Sequence, residues 1–373
     1  MNAESSLLDQ TRKVSFFEIA LLCVILAVAS KFCTLPAVLA GAAESKAVWV
    51  AALLTVAELI TAFFAFQTAR QGGLYVLPLL RTVKNATYLF LSLFFALKLT
   101  ALSREIATYY ALSLFENAPV LPVTILLLTA AALLARKGFM ATGRMAEIFV
   151  WLVAFVFLFV VIFTRSEGDL FNALGMFNPD FSGFGKGVFF GMGWFGDTAA
   201  ICLFDLREPA LERPRPNKAK RKTAFAAALF CLLMVTVFYA VFIASYGDAA
   251  KMTDYAFIKL SAFKANTDEL GSADWPVIIL WSIVTTLYLT LVMLSGKECL
   301  CGLAKKQNDC LPYFVLGGAA VVFSALFLSE EGDYQDFMTG IASVFSMIAV
   351  ALTVGLGAFC MAKQKGEKRE KQD

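Results

Sequence analysis

ASKFCTLP, residues 29 to 36, interrupts an apolar run that reaches from Val14 to Ala42. A run of that length is a membrane span, since about 20 apolar residues cross the hydrocarbon of a bilayer. Lys31 nevertheless sits near its middle, where a lysine costs at least ~2.5 kcal/mol on insertion scales. Five residues later Pro36 supplies no amide donor and suits the first turn of a new half-helix. The stretch therefore predicts a helix that stops inside the membrane, unwinds against something polar and starts again.

A second stretch repeats the pattern. GMGWFGDT, residues 191 to 198, places three glycines within six residues of another apolar run and ends on Asp197, and glycine weakens a helix interior. At 1.5 Å per helical residue, Lys31 and Asp197 each fall about 15 Å from the outer helix end, close to the bilayer midplane. Irregular backbone at that depth is tolerated where protein or a water-lined cavity satisfies it. Interrupted helices in corresponding places of two halves point to a transporter-type binding site. The bland alternative is a pair of kinks that merely bend their helices.

The rest of the chain supplies the two halves. It has 373 residues, 59% hydrophobic and 16% charged, with a mean hydropathy of +0.72. Apolar runs predict ten membrane helices near 14–42, 48–66, 86–115, 118–135, 144–164, 187–206, 223–245, 274–296, 311–328 and 335–362. The fold class is an all-α polytopic membrane protein, read as a 5+5 inverted repeat with helices 1 and 6 discontinuous. Residues 1–13 form an N-terminal tail, 14–165 the first repeat, 166–186 an outer loop, 187–362 the second repeat and 363–373 a basic tail. The halves share no visible sequence identity; the repeat rests on helix count and the paired breaks.

The net charge of +3 matters less than its distribution. Basic residues gather in alternate loops, most densely in REPALERPRPNKAKRK (207–222), whereas SEEGDYQD (329–336) is acidic. The positive-inside rule places both termini in the cytoplasm of a multi-pass cell-membrane protein. The basic loop reads as a topology signal rather than a nucleic-acid site. The N-terminus lacks a basic n-region, and no removable signal peptide is expected. The outer loop 246–273 is long enough to cover a mouth or touch a partner. Phenylalanine-rich runs such as FVFLFVVIF read as lipid-facing or packing surface.

The eight cysteines lie in or beside apolar runs, and there is no histidine. Neither a disulfide framework nor a metal site is expected. With no Walker loop, nucleophile motif or soluble domain, the chain reads as neither an enzyme nor an ATP-driven pump, and no cofactor is implied.

The candidate substrate site comprises Ser30, Lys31, Phe32, Cys33 and Thr34 at the first break and Gly193, Trp194, Phe195, Gly196 and Asp197 at the second. The half-helix opening near Pro36 turns its positive end inward and favours a carboxylate. Asp197 can cap the second half-helix and present a carboxylate to an ammonium, so a zwitterion matches both breaks. The opposing reading is an internal Lys31–Asp197 pair that locks the halves without a ligand. Lys31, Glu58, Lys98, Arg104 and Glu105 are candidates for ion or proton coupling or for gating. Lys98 and Glu105, seven residues apart, share a stripe that Tyr109 extends outward. Glu58 is equally a structural partner for Lys98, and Glu147 a first-turn acid on the helix dipole.

These features resemble the spore germination permease family, the B subunits of nutrient germinant receptors within the amino acid, polyamine and organocation transporter superfamily. The resemblance runs over nearly the whole chain, through Leu35 and Pro36, REIATYY (104–110), ARKGFMATGRMAEI (135–148) and WFGDTAAICLF (194–204). Arg104 and Glu105 match the family's Arg-Glu pair. Arg136, Lys137, Gly138, Arg144 and Glu147 match its turn into helix 5, and Asp197 stands where an acid follows Phe-Gly. It implies a LeuT-like fold, a small nutrient ligand such as an amino acid, and two partners: a membrane-embedded A subunit and a lipoprotein C subunit, at the spore inner membrane. The family's first break is usually glycine-rich; here Ala29, Ser30 and Lys31 replace the glycines, so Lys31 either substitutes for the freed backbone amides or occupies the ligand's place. The competing function is an independent, possibly proton-coupled, secondary transporter of amino acids or amines.

Overall fold

A computed structural model of the chain describes residues 16–113, 119–164, 172, 174–178, 181–206, 217–262, 274–304, 310–328 and 331–369. The N-terminal tail, basic residues 207–216, Lys305, Lys306, loop residues 263–273, Ser329, Glu330 and residues 370–373 lie outside these, as does most of 166–180.

The protein is an all-α polytopic membrane protein. The first expected span is two pieces, α1 (Phe16–Val28) and α2 (Leu35–Ala43). Continuous helices follow: α3 (Ala47–Arg70), α4 (Arg81–Ser113), α5 (Val120–Ala135) and α6 (Gly138–Thr164). The sixth span opens as α7 (Phe184–Gly191), tightens to a 3-10 turn at Met192–Trp194, and resumes as a second 3-10 segment, Asp197–Leu203. After it come α8 (Asn217–Tyr246), α9 (Asp274–Ala304) and α10 (Leu311–Phe327). The last span is α11 (Glu331–Phe337), a π turn at Met338–Ala342 and α12 (Ser343–Arg369). Six described helical runs are long and apolar enough to cross a membrane, and α1, α5 and α10 are shorter apolar helices.

Several helices outrun the spans expected from hydropathy. α4 begins at Arg81 rather than 86, α6 at Gly138 rather than 144, and α12 continues to Arg369. Lysine, arginine and glutamate end an apolar run but are good helix formers. Charge marks the edge of the hydrocarbon, not the end of the helix.

Helices from early and late in the chain pack against each other. α4 and α9 form the most extensive helix pair, α3 lies against α12, and the second break is lodged against α3. Large apolar side chains on the periphery, among them Ile148, Trp151, Phe155 and Phe314, are exposed, as a lipid-facing belt requires. In FVFLFVVIF the two expected uses alternate: Phe155 and Leu158 face outward, Phe157 and Val160 pack inward.

Candidate functional site

The first break is held by partners for its backbone. Between Val28 and Leu35 the chain leaves carbonyls without helical acceptance, and each must be bonded elsewhere inside a membrane. Tyr239 of α8 donates its hydroxyl to the Lys31 carbonyl at 2.9 Å. The amides of Phe257 and Ala256, which open a short helix at Ala256–Ala262, donate to the carbonyls of Phe32 and Cys33, each at 3.0 Å. The described part of the 246–273 loop thus covers the first break, through these two amides and the ring of Phe257.

Side chains fill the space that glycines would have left open. Phe32, fully buried, stacks on Phe238 at 4.3 Å between ring centroids and lies about 6 Å from the rings of Phe257, Trp281 and Phe157. Four aromatic rings thus surround it. Cys33 is buried beside it and is a free thiol.

The amide end of α2 is occupied as well. Thr34 caps the helix by position, but its side chain makes no capping bond. Glu105 of α4 supplies the acceptor, taking the Thr34 amide at 3.0 Å and the Thr34 hydroxyl in a very short bond. The positive end of the half-helix does attract a carboxylate, and that carboxylate belongs to the chain.

The second break is built differently. Gly196 adopts φ +89°, in the left-handed region that glycine enters without strain. A Cβ on Gly193 would lie 2.0 Å from the Met338 carbonyl oxygen, so the backbone of the last span's π turn can approach only a glycine there. Glu58 of α3 accepts the Gly196 amide in a very short bond and the Thr198 amide at 2.8 Å, while the Thr198 hydroxyl donates to the Glu58 carbonyl at 3.2 Å. The capping role expected of Asp197 therefore falls to Glu58. Glu58 bonds backbone, and the direct ion pair of Lys98 is with Asp197.

Asp197 is freed for the centre. Its Oδ2 meets the Lys31 ammonium at 2.9 Å and accepts the Tyr288 hydroxyl at 2.8 Å, and its Oδ1 meets the Lys98 ammonium at 2.8 Å. Lys98 also donates to the Phe195 carbonyl at 2.9 Å. Lys31 donates to the Trp194 carbonyl in a very short bond and to Ser30 Oγ at 2.7 Å, touches the Leu26 carbonyl at 3.5 Å, and lies 4.8 Å from the centre of the Phe195 ring. Lys31, Lys98, Asp197 and Glu58 are each no more than 2% exposed. In their ionised forms two cations and two anions balance, the condition under which buried charge persists.

Of the ten expected substrate-site residues, Ser30, Lys31, Trp194, Phe195 and Asp197 meet at the centre, Gly193 and Gly196 shape the second break, Thr34 bonds Glu105, and Phe32 and Cys33 are buried in and beside the aromatic stack. Of the coupling candidates, Lys31, Lys98 and Glu58 converge here. Glu105 stands apart on the first break. Arg104, half-buried, lines a narrow cleft with Glu105, Thr34, Asp254, Tyr255 and Tyr334, and the Tyr334 ring lies edge-on to Trp194. The Lys98–Glu105 stripe on α4 spans both breaks, the lysine serving the second and the glutamate the first. Tyr109, at its outer end, packs on Tyr255 at 5.3 Å.

Tyr239, Tyr288 and Tyr334 were not among the expected site residues. Each sits in a mainly apolar or acidic run, and only its position opposite a break gives it a role.

No family model matches the chain, and no curated protein matches it. Among solved structures it is similar to a manganese transporter of Eremococcus coleocola, crystallised with an aromatic bis-isothiourea substituted compound. The similarity has 12% identity and a TM-score of 0.55 over 92% of this chain and 78% of that one. A mutant of the same transporter gives 12% identity and a TM-score of 0.57 over the same shares. What is shared is the fold.

Proposed function

We propose that the chain is a nutrient-binding membrane subunit of the germinant-receptor type. A small nutrient, most naturally an amino acid, enters between the broken helices, shifts the equilibrium between a closed and an open centre, and is read out by A and C partner subunits. The observation that carries the reading is the meeting of two interrupted helices around a buried, balanced set of opposite charges. Such a centre is held shut by electrostatics that a zwitterion can replace. The sequence motifs at 104–110, 135–148 and 194–204 support the receptor family over others of the same fold.

The fold also supports independent secondary transport of amino acids or amines, since it is shared with a transporter over 92% of the chain. Manganese is a poor cargo for this chain: a divalent cation at the centre would face two ammonium groups, Lys31 and Lys98.

Calorimetry on the purified full chain, scanning the common amino acids, tests the first reading; saturable binding is expected, and its absence throughout the set overturns it. Uptake of the bound amino acid by the chain alone in proteoliposomes would move the assignment from sensing to transport.

A further inference from the structure

We infer that Lys31 is a tethered ligand: its ammonium fills a cage built to hold a primary ammonium, and an external alkylammonium can take its place. The cage is drawn from both breaks. The Leu26 carbonyl closes the end of α1, Ser30 supplies a hydroxyl, and Trp194 supplies a carbonyl that Ser30 Oγ also approaches, at 3.5 Å. Asp197 adds a carboxylate oxygen, and the Phe195 ring lies within the ~6 Å at which a cation is drawn to an aromatic face. Four oxygens of three chemical kinds and an aromatic face converge on one nitrogen.

The rest of the molecule holds the cage without using Lys31. Tyr288 fixes Asp197 Oδ2, Lys98 neutralises Oδ1 and holds the Phe195 carbonyl, and Glu58 ties down the amides of Gly196 and Thr198. The lysine's backbone carbonyl is separately anchored by Tyr239. Removing the Lys31 side chain beyond Cβ therefore leaves a preformed ammonium site with a hole three carbons long leading to it. n-Propylammonium is the complement of that hole.

The inference rests on the proposed reading in one respect, that an external ligand reaches the centre; the amino group of that ligand is assigned to this cage. It also reverses the role expected for Lys31 as a partner for a ligand's carboxylate.

The test uses the full chain in detergent, as wild type, as Lys31→Ala and as Lys31→Gly, both of which leave Glu58, Lys98 and Asp197 in place. Thermal unfolding is followed against n-propylammonium, with 1-propanol as the uncharged isostere and tetramethylammonium as a cation without donors. Both variants are expected to gain a saturable rise in Tm, roughly 2–5 °C at a hundred times Kd, with n-propylammonium alone. Wild type, in which the Lys31 ammonium competes for the cage, is expected to respond far less at the same concentration. No response in either variant, an equal response to 1-propanol, an equal response of wild type, or failure to recover either variant folded in n-propylammonium would each overturn the inference. Amino-acid binding by wild type with no amine response in the variants would remove the tethered ligand and leave the nutrient reading standing; the opposite pair of results would do the reverse.

Discussion

The two breaks solve one problem by opposite means. The first, at residues 29–34, contains no glycine; its carbonyls are held by hydroxyl and amide donors from α8 and the Ala256–Ala262 helix, and its bulk is an aromatic plug. The second, at residues 192–198, uses glycines where backbone must turn or touch backbone, and it concentrates charge. One break is packed and the other is wired. The lesson is that unwinding inside a membrane does not require glycine, provided every freed polar group finds a donor or acceptor on a neighbouring element.

This contrast predicts that damage at the second break is greater, residue for residue, than at the first. Asp197→Asn leaves two buried ammonium groups sharing no anion, and the loss of one partner of a buried pair costs about 3–5 kcal/mol. Little monodisperse protein should be recovered, and thermal unfolding of what remains should fall sharply. A variant as stable as wild type would show that the centre is not held by these pairs.

Gly193→Ala comes next. Its Cβ would meet a backbone oxygen of the π turn, which cannot swing aside as a side chain can, so about 1–3 kcal/mol or more is lost to overpacking. Denaturation in detergent measures it, and a neutral result would mean that the last span shifts freely past the break. Thr34→Val removes the hydroxyl from Glu105 but leaves the amide bond, and should cost about 1–2 kcal/mol. Tyr239→Phe removes one bond to the Lys31 carbonyl and should cost about 1 kcal/mol. If these last two exceed Gly193→Ala in unfolding measurements, the packed break is the fragile one and the comparison inverts.

Much of this was legible in the sequence because burial in lipid punishes the exceptions. Lys31, Asp197, Lys98, Glu58 and Glu105 stand out against apolar runs, and Pro36 and the glycines mark where the helices yield. The Lys31–Asp197 pair was one of two readings the sequence left open, but what Lys98, Glu58 and Glu105 meet could not be read in the same way. Glu58 and Glu105 bind backbone amides of elements distant in the chain, and an amide looks the same whatever residue carries it. Asp197 beside a new half-helix has the local signature of a cap, and only the arrival of Glu58 from α3 releases it. The 3-10 winding of Asp197–Leu203 and the π turn at Met338–Ala342 are equally tertiary outcomes, set by what the backbone must reach. Tyrosine in an apolar stretch reads as packing until its hydroxyl is seen to face a carbonyl.

The balance of charge at the centre has an electrical consequence. With Lys31, Lys98, Asp197 and Glu58 ionised and clasped together, the resting membrane voltage finds no net charge there to push. If the proposed opening swings the Lys31 side chain away, an elementary charge would travel along the field, worth about 2.3 kcal/mol per 100 mV over the full thickness. Under that proposal the clasped arrangement offers the voltage no net charge, and sensitivity would arise with the opening itself.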